Sequence, residues 1–138
     1  MSLKLLLVKG KRVLAEVPLV VGDEENREFL EKQIDELGRS ELRELSEIFD
    51  TLSNQDRLKM LSKMLTSDGP VRFVDFMNDL ELNQKLVSDY CRRMIENGLV
   101  TSHERGKYEA SPVGLSSFMV ATVALKKILE ILESEAEE

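Results

Sequence analysis

Residues 80–114 read LELNQKLVSDYCRRMIENGLVTSHERGKYEASPVG, and the fold turns on this stretch. Gln84 to Asn97 carries apolar residues at helical spacing: Leu86, Val87, Tyr90 or Cys91, Met94 and Ile95. Asn97-Gly98 closes that helix, since glycine readily takes the left-handed conformation of a helix end. Leu99-Val100-Thr101-Ser102 is β-prone, Glu104-Arg105-Gly106-Lys107 is a turn, and Tyr108 to Ser111 returns as a second strand. Gly114 precedes a last helix.

Upstream, Glu81-Leu82-Asn83 is a turn, and Val71 to Leu80 reads as a short helix with Phe73, Val74, Phe76, Met77 and Leu80. Asp68-Gly69-Pro70 ends an earlier helix. Ser53 opens that helix, with Asp56 three residues on in a capping-box-like arrangement, and Leu58, Met60, Leu61, Met64 and Leu65 form its apolar set. The order helix, helix, turn, helix, strand, turn, strand is that of a winged helix-turn-helix, a mainly α (α+β) fold. A helix of this kind fits the major groove of DNA, and a basic hairpin tip can reach phosphates or the minor groove.

Further out, Ser40 is placed to cap a helix with Leu42, Leu45, Ile48, Phe49 and Leu52 on one face. Asp23 is placed to cap another, with Glu24 and Glu25 near its positive end; Phe29, Leu30, Ile34 and Leu37 are its stripe and Gly38 its stop. Leu3 to Val21 reads as a β-hairpin about Lys9-Gly10-Lys11-Arg12, with Gly10 supplying a positive φ. Pro18 places the second strand at an edge or near its end. At the other end, Leu115, Phe118, Thr122, Leu125, Leu129 and Leu132 alternate spacings of three and four to about Glu133, a coiled-coil-like seam for a partner subunit. Packing on the chain's own helix at 41–52 competes for part of that seam. Three regions follow: an N-terminal hairpin and helix extension (1–39), a winged helix-turn-helix domain (40–114), and a C-terminal dimerisation helix with an acidic tail (115–138).

Composition limits the function. The net charge is −7, against a generic nucleic-acid binder. The acid lies at the ends: residues 1–52 carry 8 basic and 12 acidic side chains, residues 53–112 carry 9 of each, and residues 113–138 carry 2 and 5. Within 83–107, five cations (Lys85, Arg92, Arg93, Arg105, Lys107) face three acids (Asp89, Glu96, Glu104). One cysteine, Cys91, excludes an internal disulfide and a CxxC metal pair. Lys9, Lys11, Arg12 and Glu16 interrupt any signal-peptide core, and no apolar run is long enough to span a membrane, so a cytoplasmic protein is expected. One histidine, no phosphate loop and no metal cluster point away from an enzyme and imply no cofactor.

Leu52-Ser53-Asn54-Gln55-Asp56-Arg57-Leu58-Lys59-Met60-Leu61 resembles the opening of the ArsR-like winged-helix regulators, "LS-(D/N)-x-x-R-L-x-I-L". Leu80-x-Leu82-Asn83-Gln84-x-x-Val87-Ser88 through Glu96-Asn97-Gly98-Leu99-Val100 is similar to their "L-x-L-S-Q-x-x-V-S…E-A-G-L-V" segment, without a gap. Gly106-Lys107-Tyr108 and Ser111-Pro112-x-Gly114 are similar to the wing return and "T-P-x-G" entry of ArsR- and MarR-type proteins. The resemblance covers about Leu42 to Leu132 and implies a homodimer that binds double-stranded DNA through an operator.

Carried over position by position, the resemblance places Asn83, Gln84, Lys85, Ser88, Asp89 and Arg92 toward the groove, with Arg105 and Lys107 on the wing. Gln84 can read adenine, while Lys85 and Arg92 can reach guanine or phosphate. Asp89 departs from the pattern: it repels phosphate unless it accepts from a cytosine amino group or pairs with Lys85 or Arg92. The dimer interface is expected at Leu115, Phe118, Thr122, Leu125, Leu129 and Leu132. The helix 71–80 lacks the Cys-x-Cys of metal sensors, and 115–138 holds no His or Asp, so metal sensing of those kinds is not expected. Cys91 is either a redox switch or a small apolar core residue, and buried cysteines are common. His103 lies beside the wing turn, where it can meet phosphate when protonated or stand in solvent. Two other readings stay open: a winged-helix adaptor that binds protein, and a regulator answering a small-molecule effector through its N-terminal hairpin.

Overall fold

The computed structural model describes residues 3–20 and 24–136. The chain divides into two compact units, Met1–Arg43 and Glu44–Glu138.

In the first unit, β1 (Lys4–Lys9) and β2 (Arg12–Pro18) form the expected antiparallel hairpin, with Leu5 opposite Val17 and Leu7 opposite Ala15. Gly10, at φ +63°, opens a two-residue turn of the type II′ pattern, whose twist matches that of the strands. The Leu19 N–H donates to the Leu3 carbonyl at 2.9 Å and extends the pairing. Helix α1 spans Glu24–Asp35; the expected Asp23 cap lies outside the described residues. It ends short of Leu37, and Phe29, Ile34 and Leu37 are exposed.

Helix α2 spans Arg39–Leu52 and leads into the second unit. It starts one residue before Ser40, so Ser40 sits in its first turn and the Gly38 carbonyl accepts from the Leu42 N–H instead. Leu42, Leu45 and Phe49 are exposed; Ile48 and Leu52 turn to the core. Helix α3 (Gln55–Thr66) is capped by Asn54, not Ser53: the Asn54 carboxamide oxygen accepts from the Arg57 N–H at 3.1 Å. Ser53 instead donates to the Asp50 carbonyl. Both caps are compatible with the sequence, and Asn54 has the extended backbone of an N-cap.

The stretch 71–80 is not one helix. Val71 and Arg72 form strand β3, which pairs with β5, and helix α4 spans Phe73–Leu80. Val71 is buried by that pairing, and the Phe73 N–H donates to the Gly106 carbonyl at the far end of the hairpin. Helix α5 spans Gln84–Glu96, and β4 (Val100–Glu104) and β5 (Lys107–Ala110) complete a three-stranded sheet in the order β3-β5-β4. The core is Leu52, Met60, Leu61, Met64, Val71, Phe76, Val87, Cys91, Met94, Leu99 and Val100. Val74 and Ile95, read as apolar-face residues, are exposed.

The last helical region begins at Pro112, two residues before Gly114. Ser111 caps α6 (Pro112–Met119): its hydroxyl accepts from the Gly114 N–H at 2.9 Å and donates to the Gly98 carbonyl at 2.6 Å. Proline suits the first helical position because its missing N–H would be unpaired there. Residues Val120–Ala124 form a π turn, and α7 spans Leu125–Ala136. The Thr122 hydroxyl donates to the Phe118 carbonyl at 2.7 Å, where it competes for an oxygen of the helical ladder. The wider turn rotates everything beyond it by about 100° relative to a continuous helix. The single seam expected from 115 to 132 is therefore two faces. Phe118 packs on the chain's own core, while Leu115, Leu125 and Leu129 are exposed and Thr122 and Leu132 are half-buried.

Gly114 holds α6 against the strand before it. A Cβ there would sit 2.0 Å from the Leu99 carbonyl oxygen, and Gly69 meets nothing within 4 Å. Gly114→Ala is therefore expected to lower the unfolding free energy by about 3 kcal/mol, as overpacking against immovable backbone does. Gly69→Ala should stay within about 0.5 kcal/mol of the parent. Equal denaturant midpoints for the two variants would contradict the close approach.

Candidate nucleic-acid interface

The candidate site is α5 with the turn before it and the β4–β5 hairpin after it. Helix α4 ends at Glu81, in the left-handed region at φ 55° and ψ 42°, where its N–H donates to the Met77 carbonyl. The Leu82 N–H reaches the same carbonyl at 3.2 Å. Asn83 then caps α5, its carboxamide oxygen accepting from the Leu86 N–H at 2.9 Å. Two caps back to back leave a three-residue turn and fix the angle at which α5 leaves α4.

Within α5, Val87, Cys91 and Met94 face the core at spacings of four and three. The opposite face is then set by geometry. Gln84, Lys85, Ser88 and Arg92 are all exposed, and Asp89 is half-buried beside them. Asn83 is exposed with its carboxamide oxygen committed to the cap, which leaves its NH₂ free to donate. On the wing, Gly106 at φ +78° lets the chain reverse, Arg105 stands exposed at the tip, and Lys107 is half-buried on β5.

Most cations of this surface have acidic partners. Arg92 pairs with Asp89 at 3.2 Å, one of the two arrangements under which that acid is tolerable. Lys107 pairs with Glu104 at 3.3 Å, and Arg93 with Asp50. Lys85 and Arg105 have no ion-pair partner among the described residues. Such exposed pairs are worth about 0–1 kcal/mol, so Arg92 and Lys107 can exchange a carboxylate for a phosphate at little cost. His103 lies 3.7 Å from Glu109, an ion pair only when the imidazole is protonated.

Arg57 is the residue that sequence reasoning missed as a builder of this site. It is 9% exposed, donates from Nε to the Thr51 carbonyl at 2.7 Å and from Nη2 to the Asp50 carbonyl at 3.0 Å. Its guanidinium lies over the Tyr90 ring, 5.1 Å from the centroid. The arginine thus satisfies the Thr51 carbonyl at the end of α2, joins Ser53 on that of Asp50, and presses on α5. From the other side, the Asn97 carboxamide donates to the Thr51 hydroxyl and, at 3.3 Å, to the Glu47 carbonyl. Tyr108, the other tyrosine, packs toward Phe76 with ring centroids 6.2 Å apart and anchors the wing.

Cys91 is 3% exposed, and burial pushes its thiol up to about 12. A thiol so placed stays protonated at neutral pH, and the thiolate is the reactive form. This makes it a core residue and not a redox switch. Among the described residues, no three His, Cys, Asp or Glu side chains are grouped as metal ligands would be, and no helix is long and apolar enough to cross a membrane.

The same architecture recurs in solved structures. One is the solution structure of the homodimeric winged helix-turn-helix DNA-binding domain of Mb0332 from Mycobacterium bovis, described as a possible ArsR-family transcriptional regulator. It is 17% identical, with a TM-score of 0.53, over 78% of this chain and 92% of that one. Another is the AntR antimony-specific transcriptional repressor, 16% identical with a TM-score of 0.54, over 69% of this chain and 88% of that one. The chain has the winged helix-turn-helix fold. At this level of identity the likeness speaks for fold alone. No family model matches the sequence, and no curated protein matches it. Within the winged helix, α4 and α5 are the helix-turn-helix and β4–β5 is the wing.

Arg57→Ala is expected to destabilise the winged helix by about 2 kcal/mol, the cost of leaving the Thr51 carbonyl without its donor and losing a charged bond to that of Asp50. Arg57→Lys should recover only part, since lysine has neither the planar fork nor the stacking face. Urea melts of the three proteins check this. A loss under about 0.5 kcal/mol in the alanine variant would show that Arg57 does not hold α5.

Proposed function

We propose that this protein is a sequence-specific DNA-binding transcription regulator that acts as a homodimer. The observation that carries the reading is the two-faced recognition helix. Val87, Cys91 and Met94 are buried, while Gln84, Lys85, Ser88 and Arg92 form an uninterrupted polar edge beside a wing with Arg105 at its tip. Side chains of these types at the start of an exposed helix suit major-groove base edges, and the wing cations suit phosphate. The described neighbours support this at a coarse level, since one is called a possible transcriptional regulator and the other a transcriptional repressor.

Dimerisation is supported by apolar surface that one subunit leaves in water. Leu45, Ile48, Phe49 and Leu52 of α2 line a groove of about 310 Å³ with Ser116, Ser117, Val120 and Ala121. Leu125 and Leu129 stand exposed on α7 beyond it. Exposed apolar side chains beside such a groove, Leu45, Phe49 and Val120 among them, are a feature of interaction surfaces. A two-fold dimer would present two recognition helices to successive turns of a palindromic site.

A protein-binding adaptor is the second reading, favoured by the neutralisation of Arg92, Arg93 and Lys107 by Asp89, Asp50 and Glu104. Retention of genomic DNA fragments at low and moderate salt separates the two. We expect a discrete set of fragments to be retained, and Arg92→Ala with Arg105→Ala to weaken binding by about tenfold or more. Asp89→Asn should tighten it several-fold by removing a charge that repels phosphate and engages Arg92. No retained fragment, with no effect of any variant, would leave the adaptor as the reading.

A further inference from the structure

The densest group of unpaired cations in the described chain lies outside the winged helix. It is the tip of the N-terminal hairpin, Lys9-Gly10-Lys11-Arg12. Lys9, Lys11 and Arg12 are exposed, and none has an ion-pair partner among the described residues. Glu16, the acid of the hairpin, pairs with Lys4 at the opposite end of the strands. Residues 3–20 carry four cations and one acid, in a chain whose net charge is −7.

The register makes this arrangement unfavourable for the isolated protein. Lys9 and Arg12 are direct cross-strand partners. Like charges directly opposite destabilise a strand pair, and Lys11 adds a third charge in the turn between them. A turn needing only solubility would be served better by one acid facing one base. Three cations brought together by a two-residue turn suit a ligand with regularly spaced negative charge. The order of residues also distinguishes polyanions. A hairpin that enters a bilayer leads with apolar side chains and keeps its cations at the headgroups. Here the cations lead, and Leu6, Leu7, Val13 and Val17 lie on the stem behind them.

We infer that the hairpin tip is a second DNA-contacting element, which grips backbone phosphates independently of the recognition helix and wing. The inference rests on the DNA-binding reading above. It explains how a winged helix with so few unpaired cations gains electrostatic affinity: Lys9, Lys11 and Arg12 add three phosphate contacts per chain to those of Lys85 and Arg105.

The test is the salt dependence of binding to a retained genomic fragment, for the full chain, for the triple variant Lys9→Gln, Lys11→Gln, Arg12→Gln, and for Arg105→Ala. Each phosphate contact contributes about 0.9 to the slope of log K against log salt. The triple variant should show a slope shallower by about 2–3 per chain and bind about tenfold or more weakly at moderate salt. Its thermal midpoint should be equal or higher, because the cross-strand repulsion is gone. An unchanged slope in the triple variant, with affinity lost in Arg105→Ala, would overturn the hairpin contact and leave the DNA reading standing. Failure of the parent chain to bind any fragment would overturn both. Anionic phosphatidylserine vesicles serve as the other arm. Binding that the triple variant loses there, with its DNA slope unchanged, would assign the tip to lipid and overturn the inference.

Discussion

The carboxyl end of α2 is where the winged helix is held. Helix ends leave carbonyls in need of partners; the Arg57 guanidinium, almost wholly buried, meets that of Thr51 and shares that of Asp50 with Ser53. A buried guanidinium is stable only when its donors are used, and this one also stacks on Tyr90. The same helix end takes Asn97 onto Thr51 and Arg93 onto Asp50. Three side chains from two helices therefore converge on one turn of a third. This convergence orients α5, and with it the polar edge that would meet DNA. Gly114 does the same for the far side, bringing α6 into contact with the Leu99 backbone just after α5 ends.

Much of this is legible in the sequence. The core face of α5, the wing turn at Gly106 and the N-terminal hairpin follow from short-range patterns: helical spacing, alternation and glycine at positive φ. What escaped depends on partners distant in sequence. Val71 and Arg72 run directly into α4 in sequence, and their strand is defined by its pairing with β5. The spacing of three and four from Leu115 to Leu132 does not reveal the π turn at Val120–Ala124, within which the Thr122 hydroxyl bonds the Phe118 carbonyl. Arg57 was visible as part of a motif, but its acceptors are carbonyls, which no side-chain pattern encodes. Asn83, placed toward the groove by the resemblance, also caps α5 through its carboxamide oxygen, a role that needs the backbone and not only the side-chain pattern.

Charge distribution links these features to function. The surface between α2 and α5 is a polar cleft of about 620 Å³ in which Arg92 and Arg93 lie beside Asp89, Glu47 and Glu96. Such a surface would bind a polyanion weakly by itself, and its selectivity would come from base edges more than from bulk attraction. An acidic chain with short-range cation clusters discourages indiscriminate association while permitting aligned contacts. The apolar faces on α2, α6 and α7 fit the same picture, because pairing two subunits would double the number of aligned cations.

Backbone amide NMR of the labelled protein, titrated with a short mixed-sequence DNA duplex at low salt, examines the DNA role residue by residue. Shifts concentrated at residues 83–92, 104–107 and 9–12 are the expected result, with the core positions Met60, Phe76 and Met94 unmoved. Shifts confined to the apolar faces of α2 and α7, or no shifts at any duplex concentration, would contradict a DNA-binding recognition helix.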